Sequence, residues 1–528
     1  MAGSSVAQLK AEKISSRTTE FSAKEKISET VTPELVIALC GPLGTPLHRV
    51  ADILRTLLEK HFEYDDVETI RLSQYIRDYG NPTDPESIQD LINAGNDLRE
   101  KHGASILAQL AIKRIAGSRG ALRTDGKREE PLSLLAGSMD TSQIEPAPVV
   151  RHCHIIDSIK NREELNLLRA VYGDILHVVG VHTPLSLRVE RLEGKCGTKA
   201  NVFDLIDRDS GEERDTGQSV REVFPRADFF IRVDGGTDDQ LQMSLHRYLN
   251  LLLGAKVITP TIHERAMYAA YYAARNSACL SRQVGASLAD EAGDLIAVGW
   301  NDVPRAFGGL YESHARPQEG EYVDHRCWNK DGGKCFNDEE KDEIAKRLTS
   351  ALILEGIISE DNKEEVSKRL RRSSELRGLI EFSRAVHAEM HALLNAGKSA
   401  GQRVQGGRLY VTTYPCHACA RHIIAAGVRE VRFIEPYRKS LATRLHSDAI
   451  TESESDASKV RILPFDGVAP SRYLSLFSEW PDGRKDAAGK MKTRSDTKPV
   501  TAVTLEAITT LEGLAVRELQ SKGLIGQD

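Results

Sequence analysis

Four side chains with metal and proton chemistry, at a spacing that forces separate parts of the chain together, constrain this sequence most. His387-Ala388-Glu389 is followed downstream by Pro415-Cys416-His417-Ala418-Cys419. Cys416 and Cys419 lie three apart at the predicted start of a helix, so both sulfurs face one way, and the positive end of a helix favours thiolates. His387, on the preceding predicted helix, adds one imidazole to give three protein ligands. Zinc prefers four ligands, so the last position stays open for water. Bound zinc lowers the pKa of that water from about 15.7 to about 7. Glu389 need not bind the metal and can stand beside the water, first as general base and then as general acid. A structural zinc site is the competing reading, with His417 as its fourth ligand. The glutamate two residues after His387 and the proline before Cys416 favour the catalytic reading.

The surrounding pattern divides the chain. Residues 1–30 are polar and predict a mobile tail. Leu35-Val-Ile-Ala-Leu-Cys40 predicts a buried strand entering a glycine turn, with a helix from about Pro46 to His61. Gly117–Pro148 reads as a long loop. Further strands are predicted at His154–Asp157, Ile175–Val179 and Phe229–Val233, with helical Glu163–Ala170 between the first two. Strands alternating with helices predict a parallel α/β domain over 31–255. A second domain is predicted over 261–480. Its elements are helix Ile262–Ala278, strands Gly285–Leu288 and Asp294–Trp300, helix Phe382–Ala396, strand Arg408–Thr412, helix Ala418–Ala426 and strand Glu430–Ile434. A charged helical insertion spans 338–380, and a polar C-terminal tail spans 481–528 with an amphipathic helix near 503–521.

His387–Gly397 and Thr412–Gly427 resemble the deoxycytidylate deaminase branch of the cytidine deaminase superfamily. The resemblance extends upstream to Ser277–Ala286 and Ala297–Pro304. It implies a three-layer α/β/α domain with a mixed five-stranded sheet, zinc as cofactor and a cytosine-bearing substrate attacked at C4. In that family an asparagine contacts the sugar hydroxyl and base, a role that falls on Asn301. Tyr437 and Lys439 stand where relatives carry residues near the nucleotide, and Arg282, Arg438 and Lys439 are candidate phosphate contacts. Some phage-type relatives hold a second, structural zinc with cysteines near Cys279 and Cys327. Cys279, His325, Cys327 and Cys335 are therefore candidates for a second metal, with burial of reduced thiols as the alternative.

In the N-terminal domain, Gly41-Pro-Leu-Gly-Thr-Pro-Leu-His48 follows a predicted strand and precedes a helix, the setting of a P-loop. The motif would need Gly, Lys and Ser or Thr at Pro46, Leu47 and His48, so the lysine and the magnesium-binding hydroxyl are missing. Gly41, Gly44 and Thr45 are the candidate nucleotide-binding positions, through backbone N–H groups alone. Ile155-Ile-Asp157 resembles the second acidic strand of small-molecule kinases. Arg188–Arg191 and Asp207–Asp209 resemble their lid, and Ala227–Gly235 the segment closing their sheet. Three roles follow for this P-loop kinase-like domain: binding a regulatory nucleotide, packing and assembly, or phosphoryl transfer.

The order of the two halves resembles the bacterial antiphage dCTP deaminase family. Membership implies conversion of dCTP, and often dCMP, to the uracil forms, a homo-oligomer and, in some members, a small inhibitory RNA. Composition bears on the alternatives. The net charge of −6 and an aromatic content of 5% speak against a basic, aromatic-lined channel for an RNA or DNA strand. A deoxycytidylate deaminase of nucleotide metabolism with a nucleotide-sensing domain is the nearer alternative. Eight cysteines in 528 residues are too few for a disulfide scaffold. With no apolar leader and no run of about 18 apolar residues, the expected setting is cytoplasmic, without a membrane anchor.

Overall fold

A computed structural model of the chain describes residues 31–122, 151–196, 199–210, 219–234, 237–313, 324–330, 332–436, 440–480, 483–492, 498–501 and 506–525. Two six-stranded sheets organise it. The N-terminal half runs β1 (Leu35–Cys40), α1 (Leu47–His61), β2 (Asp66–Arg71), α2 (Leu72–Gly80), α3 (Ile88–His102), α4 (Ile106–Leu122), β3 (His152–Asp157), α5 (Arg162–Tyr172), β4 (Leu176–His182), α6 (Leu185–Cys196), α7 (Lys199–Ser210), β5 (Phe229–Arg232) and α8 (Asp238–Leu252). β1 is apolar along its whole length because it is central and covered on both faces, with every residue buried. Strands β2-β3-β1-β4-β5 are parallel. β2 escapes the sequence expectation: it reads Asp-Val-Glu-Thr-Ile-Arg, with charge at both ends and in the middle.

The second half runs α9 (Ile262–Ala274), β6 (Gly285–Ala289), β7 (Leu295–Trp300), α10 (Phe336–Leu354), α11 (Lys363–Arg372), α12 (Ala388–Ser399), β8 (Arg408–Thr413), α13 (His417–Ala425), β9 (Glu430–Glu435), β10 (Ile450–Thr451), β11 (Val460–Pro464) and β12 (Gly467–Val468). Its sheet has the order β10-β11-β9-β8-β6-β7, antiparallel on the β7-β6-β8 side and parallel beyond β8. It is mixed, but has six strands where five are expected, because the two residues of β10 pair with β11 at the edge. The helix expected from Phe382 begins only at Ala388. The preceding residues are extended: Val386 bridges to Asp302, donating its N–H to the Asp302 carbonyl at 2.9 Å. α10 and α11 form a charged pair, with Arg371 reaching both Asp338 and Asp342.

Two segments beyond residue 465 return to the first sheet. β12 pairs antiparallel with β5, Gly467 opposite Phe230, and so caps an otherwise parallel sheet. A last helix, α14 (Glu506–Ser521), lies along α4, with Ile508, Ala515 and Leu519 buried in the same apolar cluster as Ile112 and Ile115. Among the described residues no helix is long and apolar enough to cross a membrane.

Glu264 joins the two sheets. It is the third residue of α9 and completes a capping box with Thr261, accepting the Thr261 N–H at 2.8 Å. Arg247 of α8 donates twice to the same carboxylate, at 2.9 and 2.8 Å, and the Val468 N–H of β12 donates at 2.9 Å. The carboxylate is 1% exposed, so these donors replace water completely. Replacing Glu264 by Ala removes an acceptor from the Arg247 guanidinium and the Val468 N–H. Arg247 is 26% exposed and keeps the Thr259 carbonyl, so the loss falls mainly on buried N–H groups, each costing about 1–3 kcal/mol when left unsatisfied. The expected result is a clearly lower denaturant midpoint, followed by tryptophan fluorescence, with Glu264→Gln falling between. An unchanged midpoint would show that the halves are not held through this carboxylate.

Candidate metal centre and its surroundings

Two helix starts meet at the motif. His387 is the N-cap of α12, with φ −73° and ψ 153°, and Cys416 is the N-cap of α13, with φ −72° and ψ 164°. An extended N-cap turns its side chain back over the first turn, where unpaired N–H groups and the positive dipole end lie. The Cys416 sulfur accepts the Cys419 N–H at 3.4 Å. His387 Nδ1 stands 3.4 Å from Cys416 Sγ and 3.3 Å from Cys419 Sγ. Ligands at zinc bond lengths in a tetrahedron sit about 3.5 Å apart, so the donor set fits zinc without rearrangement. Among the described residues these three form a ligand group and no fourth joins them. His417, the ligand a structural site would need, instead faces Glu381, with Nε2 at 3.7 Å from Oε1.

The three ligands are electrostatically linked. The hydrogen bond from Cys419, together with His387, brings the Cys416 thiol down to about 4. The same contact raises His387 to about 9, and Cys416 pushes Cys419 up. A metal that takes all three as ligands must displace their protons. Glu389, in the first turn of α12, is 4% exposed. Burial raises its pKa, against the lowering effect of His387. A carboxyl held toward the neutral form is suited to carry a proton in both directions.

The backbone around the ligands is set by close packing. Gly299 of β7 faces α12 so closely that a Cβ there would lie 2.3 Å from Ala392 N and 2.5 Å from Ala388 O. His391 fastens the same contact, accepting the Trp300 N–H at Nδ1 (3.2 Å) with its ring edge-on to the Trp300 indole.

Asn301 follows β7 directly and is 8% exposed. Its Oδ1 accepts the Val284 N–H at 2.7 Å and its Nδ2 donates to the Arg282 carbonyl at 2.8 Å. The neighbouring Asp302, unremarked in the sequence, is 1% exposed and accepts from Ala278 N and Arg326. Asn301 and Asp302 thus pin the 277–284 segment beside the strand that pairs with Val386. Arg282, a candidate phosphate contact, pairs with Glu435 at 2.8 Å. Tyr437, Arg438 and Lys439 lie outside the described residues. Cys279, Cys327 and Cys335 open onto one cavity, with Asp302, Arg384 and Ala385 also on its wall. His325 turns its ring against Tyr311 instead.

In the first sheet, Gly41, Gly44 and Thr45 form the turn between β1 and α1, with the Thr45 N–H on the Pro42 carbonyl and Gly44 at φ 86°. The Leu43 N–H is held by a carboxylate, Asp209 Oδ2 at 2.7 Å, and Lys160 pairs with the other oxygen at 2.5 Å. Arg188 donates to the Leu43 carbonyl at 3.3 Å. Thr45 Oγ1 is buried without a hydrogen-bond partner.

Parts of the second half are similar to known proteins. Residues 260–435 match the family model of the cytidine and deoxycytidylate deaminase zinc-binding region. The ComE operon protein 2 of Bacillus subtilis (strain 168) is 43% identical over 56 residues, 11% of this chain and 29% of that protein. A probable deoxycytidylate deaminase of Drosophila melanogaster is 33% identical over 89 residues, 17% of this chain and 36% of that protein. The chain thus spans about a third of the length of these curated relatives. Among solved structures, the dCMP deaminase from the cyanophage S-TIM5 in complex with dCMP and dUMP aligns at 20% identity and a TM-score of 0.23, over 39% of this chain and 99% of that one. The C-terminal half carries a zinc-binding domain of the deoxycytidylate deaminase type.

Gly299→Ala tests the packing beneath the site. The added methyl must push α12 off β7, moving the His387 end of the ligand set. Displacements of about 1 Å at such sites cost roughly 100-fold in rate. The variant is expected to release zinc to a chelator faster than the wild type. Equal release rates would show that β7 does not set the position of α12.

Proposed function

We propose that the chain hydrolyses the exocyclic amine of free deoxycytidine nucleotides, dCTP to dUTP and dCMP to dUMP, and releases ammonia. The observation that carries this reading is the buried Glu389 beside a three-ligand set that no fourth side chain joins among the described residues. Zinc, when bound by His387, Cys416 and Cys419, supplies the Lewis acidity that makes water a nucleophile near neutral pH. Glu389 takes the proton released by that water and delivers it to N3 of the cytosine ring. It then carries the second proton to the departing amine, so water and cytosine become uracil and ammonia. Its burial keeps the proton from exchanging with bulk solvent during the transfer. Asn301 would meet the sugar and base while holding the Arg282–Val284 backbone, and Tyr437 and Lys439 would complete the nucleotide contacts.

The sequence resemblance extends this reading to depletion of the dCTP pool in antiphage defence, with a homo-oligomer and an inhibitory small RNA as partners. For the N-terminal domain we favour a degenerate P-loop kinase-like module that senses a nucleotide at Gly41, Gly44 and Thr45. The parallel β2-β3-β1-β4-β5 order supports it, since open parallel sheets bind ligands beyond the carboxyl ends of their strands, where the Gly41–Thr45 turn follows β1. The missing lysine at Leu47 and the missing magnesium-binding hydroxyl at His48 speak against phosphoryl transfer.

Incubating purified protein with dCTP, dCMP, CTP, deoxycytidine and a cytosine-bearing oligonucleotide, and measuring ammonia and uracil products, tests the substrate. Conversion of dCTP or dCMP, with the oligonucleotide unchanged, is expected. Conversion of the oligonucleotide alone would overturn the free-nucleotide reading. Glu389→Gln should lower kcat at least 100-fold while zinc content stays at the wild-type level. ATP should not be hydrolysed, and release of inorganic phosphate at enzymatic rates would refute the degenerate assignment.

A further inference from the structure

A second cluster of metal-binding side chains lies in the N-terminal sheet, far along the chain from the deaminase-type motif. β2 and β3 are parallel neighbours, with Asp66 opposite His152 and Glu68 opposite His154. Side chains alternate across a sheet, so these four positions share one face. The intervening Val67 and Cys153 point to the other face and pack in a different apolar cluster. The result is a His-x-His pair facing an Asp-x-Glu pair at the edge of the sheet.

Donor atoms of Glu68, His152 and His154 lie within 4.8 Å of one another. His154 is fully buried and His152 is 5% exposed, yet their ring nitrogens lack close hydrogen bonds and have carboxylates only at ion-pair distance. A buried imidazole without a close hydrogen bond is costly, and here two lie side by side, ring centroids 4.3 Å apart and planes tilted by 42°. The separations explain what they await. His154 Nδ1 stands 3.5 Å from Glu68 Oε2, and His152 Nε2 stands 3.6 Å from Asp66 Oδ2. Those distances are too long for N–H···O bonds. They are close to the roughly 3.3 Å between two nitrogen or oxygen ligands of one tetrahedral metal.

The carboxylate is already oriented. Arg114 Nε donates to Glu68 Oε1 at 2.6 Å and Ser118 Oγ donates to Oε2 at 3.0 Å, both from α4. Hydrogen bonds of this kind from outside the ligand set are what fix ligating carboxylates, and each oxygen keeps a second lone pair. Asp66, at 65% exposure, stands at the rim beside His152 and outside the three-residue ligand group.

We propose that Glu68, His152 and His154 bind a divalent transition metal, zinc foremost, as a structural clamp between β2, β3 and α4. Two imidazoles with one carboxylate suit zinc. The clamp holds the edge strand of the first sheet independently of the deaminase-type centre.

The test is cobalt titration of the chelator-stripped full chain, followed by absorption. Two equivalents are expected. One shows thiolate-to-cobalt charge transfer, from Cys416 and Cys419, and the other shows only ligand-field bands, from imidazole and carboxylate. Glu68→Gln and, separately, His154→Gln should each weaken the thiolate-free equivalent at least tenfold and leave the thiolate-type one intact. The wild-type titration decides even if a variant fails to fold. A single, thiolate-type equivalent overturns the proposal. So does a second equivalent that also shows thiolate charge transfer, or a thiolate-free one that both folded variants bind as the wild type does.

Discussion

One buried carboxylate holds the architecture together. Glu264 starts α9, closes a capping box, grips Arg247 of the preceding helix and accepts the N–H of β12. A carboxylate so buried is tolerable only when its oxygens are fully satisfied, and here the donors come from three separate segments. Consequently the linker after α8, the first helix of the second half and the strand that caps the first sheet share one position. The apolar cluster that includes Ile156, Phe230, Met267 and Phe465 then runs across the junction. An ion pair from Arg232 to Glu454 at 3.0 Å adds a polar tie between the two halves.

That joint places the metal centre on a firm base. α9 and α12 pack on the β6–β7 hairpin, and the contact needs glycine: a Cβ at Gly285 would lie 1.9 Å from Ala270 O, as one at Gly299 would meet α12. With no side chain between them, helix and strand backbones approach closely, and the start of α12 is held in place. The ligands sit at the starts of two helices, where dipoles favour anionic sulfur and the extended N-cap geometry directs the side chains inward. The chemistry therefore depends on backbone packing at least as much as on the identities of the ligands.

Much of this was legible in the chain. Strand β1 announces itself by an unbroken apolar run, and the Cys-x-x-Cys with its preceding proline announces a helix start at a metal. Other features were hidden for physical reasons. β2 carries charges at alternate positions, which reads as surface until the neighbouring histidines of β3 appear beside it. The start of α12 was misread because the residues before it form an extended bridge to Asp302, a pairing that only folding supplies. Asn301 looked like a ligand contact, and the structure adds that both ends of its amide hold the Arg282–Val284 backbone.

By itself the sequence determined the donor chemistry: one imidazole, two thiols and a carboxyl, in an order compatible with two helix starts. It determined the alternating pattern of the first domain as well, because hydrophobic periodicity is local. Tertiary structure alone decided that His417 turns away to Glu381, that β12 returns to the first sheet and α14 to α4, and that two histidines and a carboxylate meet on one face. Each of these is a contact between residues distant in the chain or a choice of side-chain direction. Such choices depend on which buried polar groups find partners, and local sequence carries no record of that.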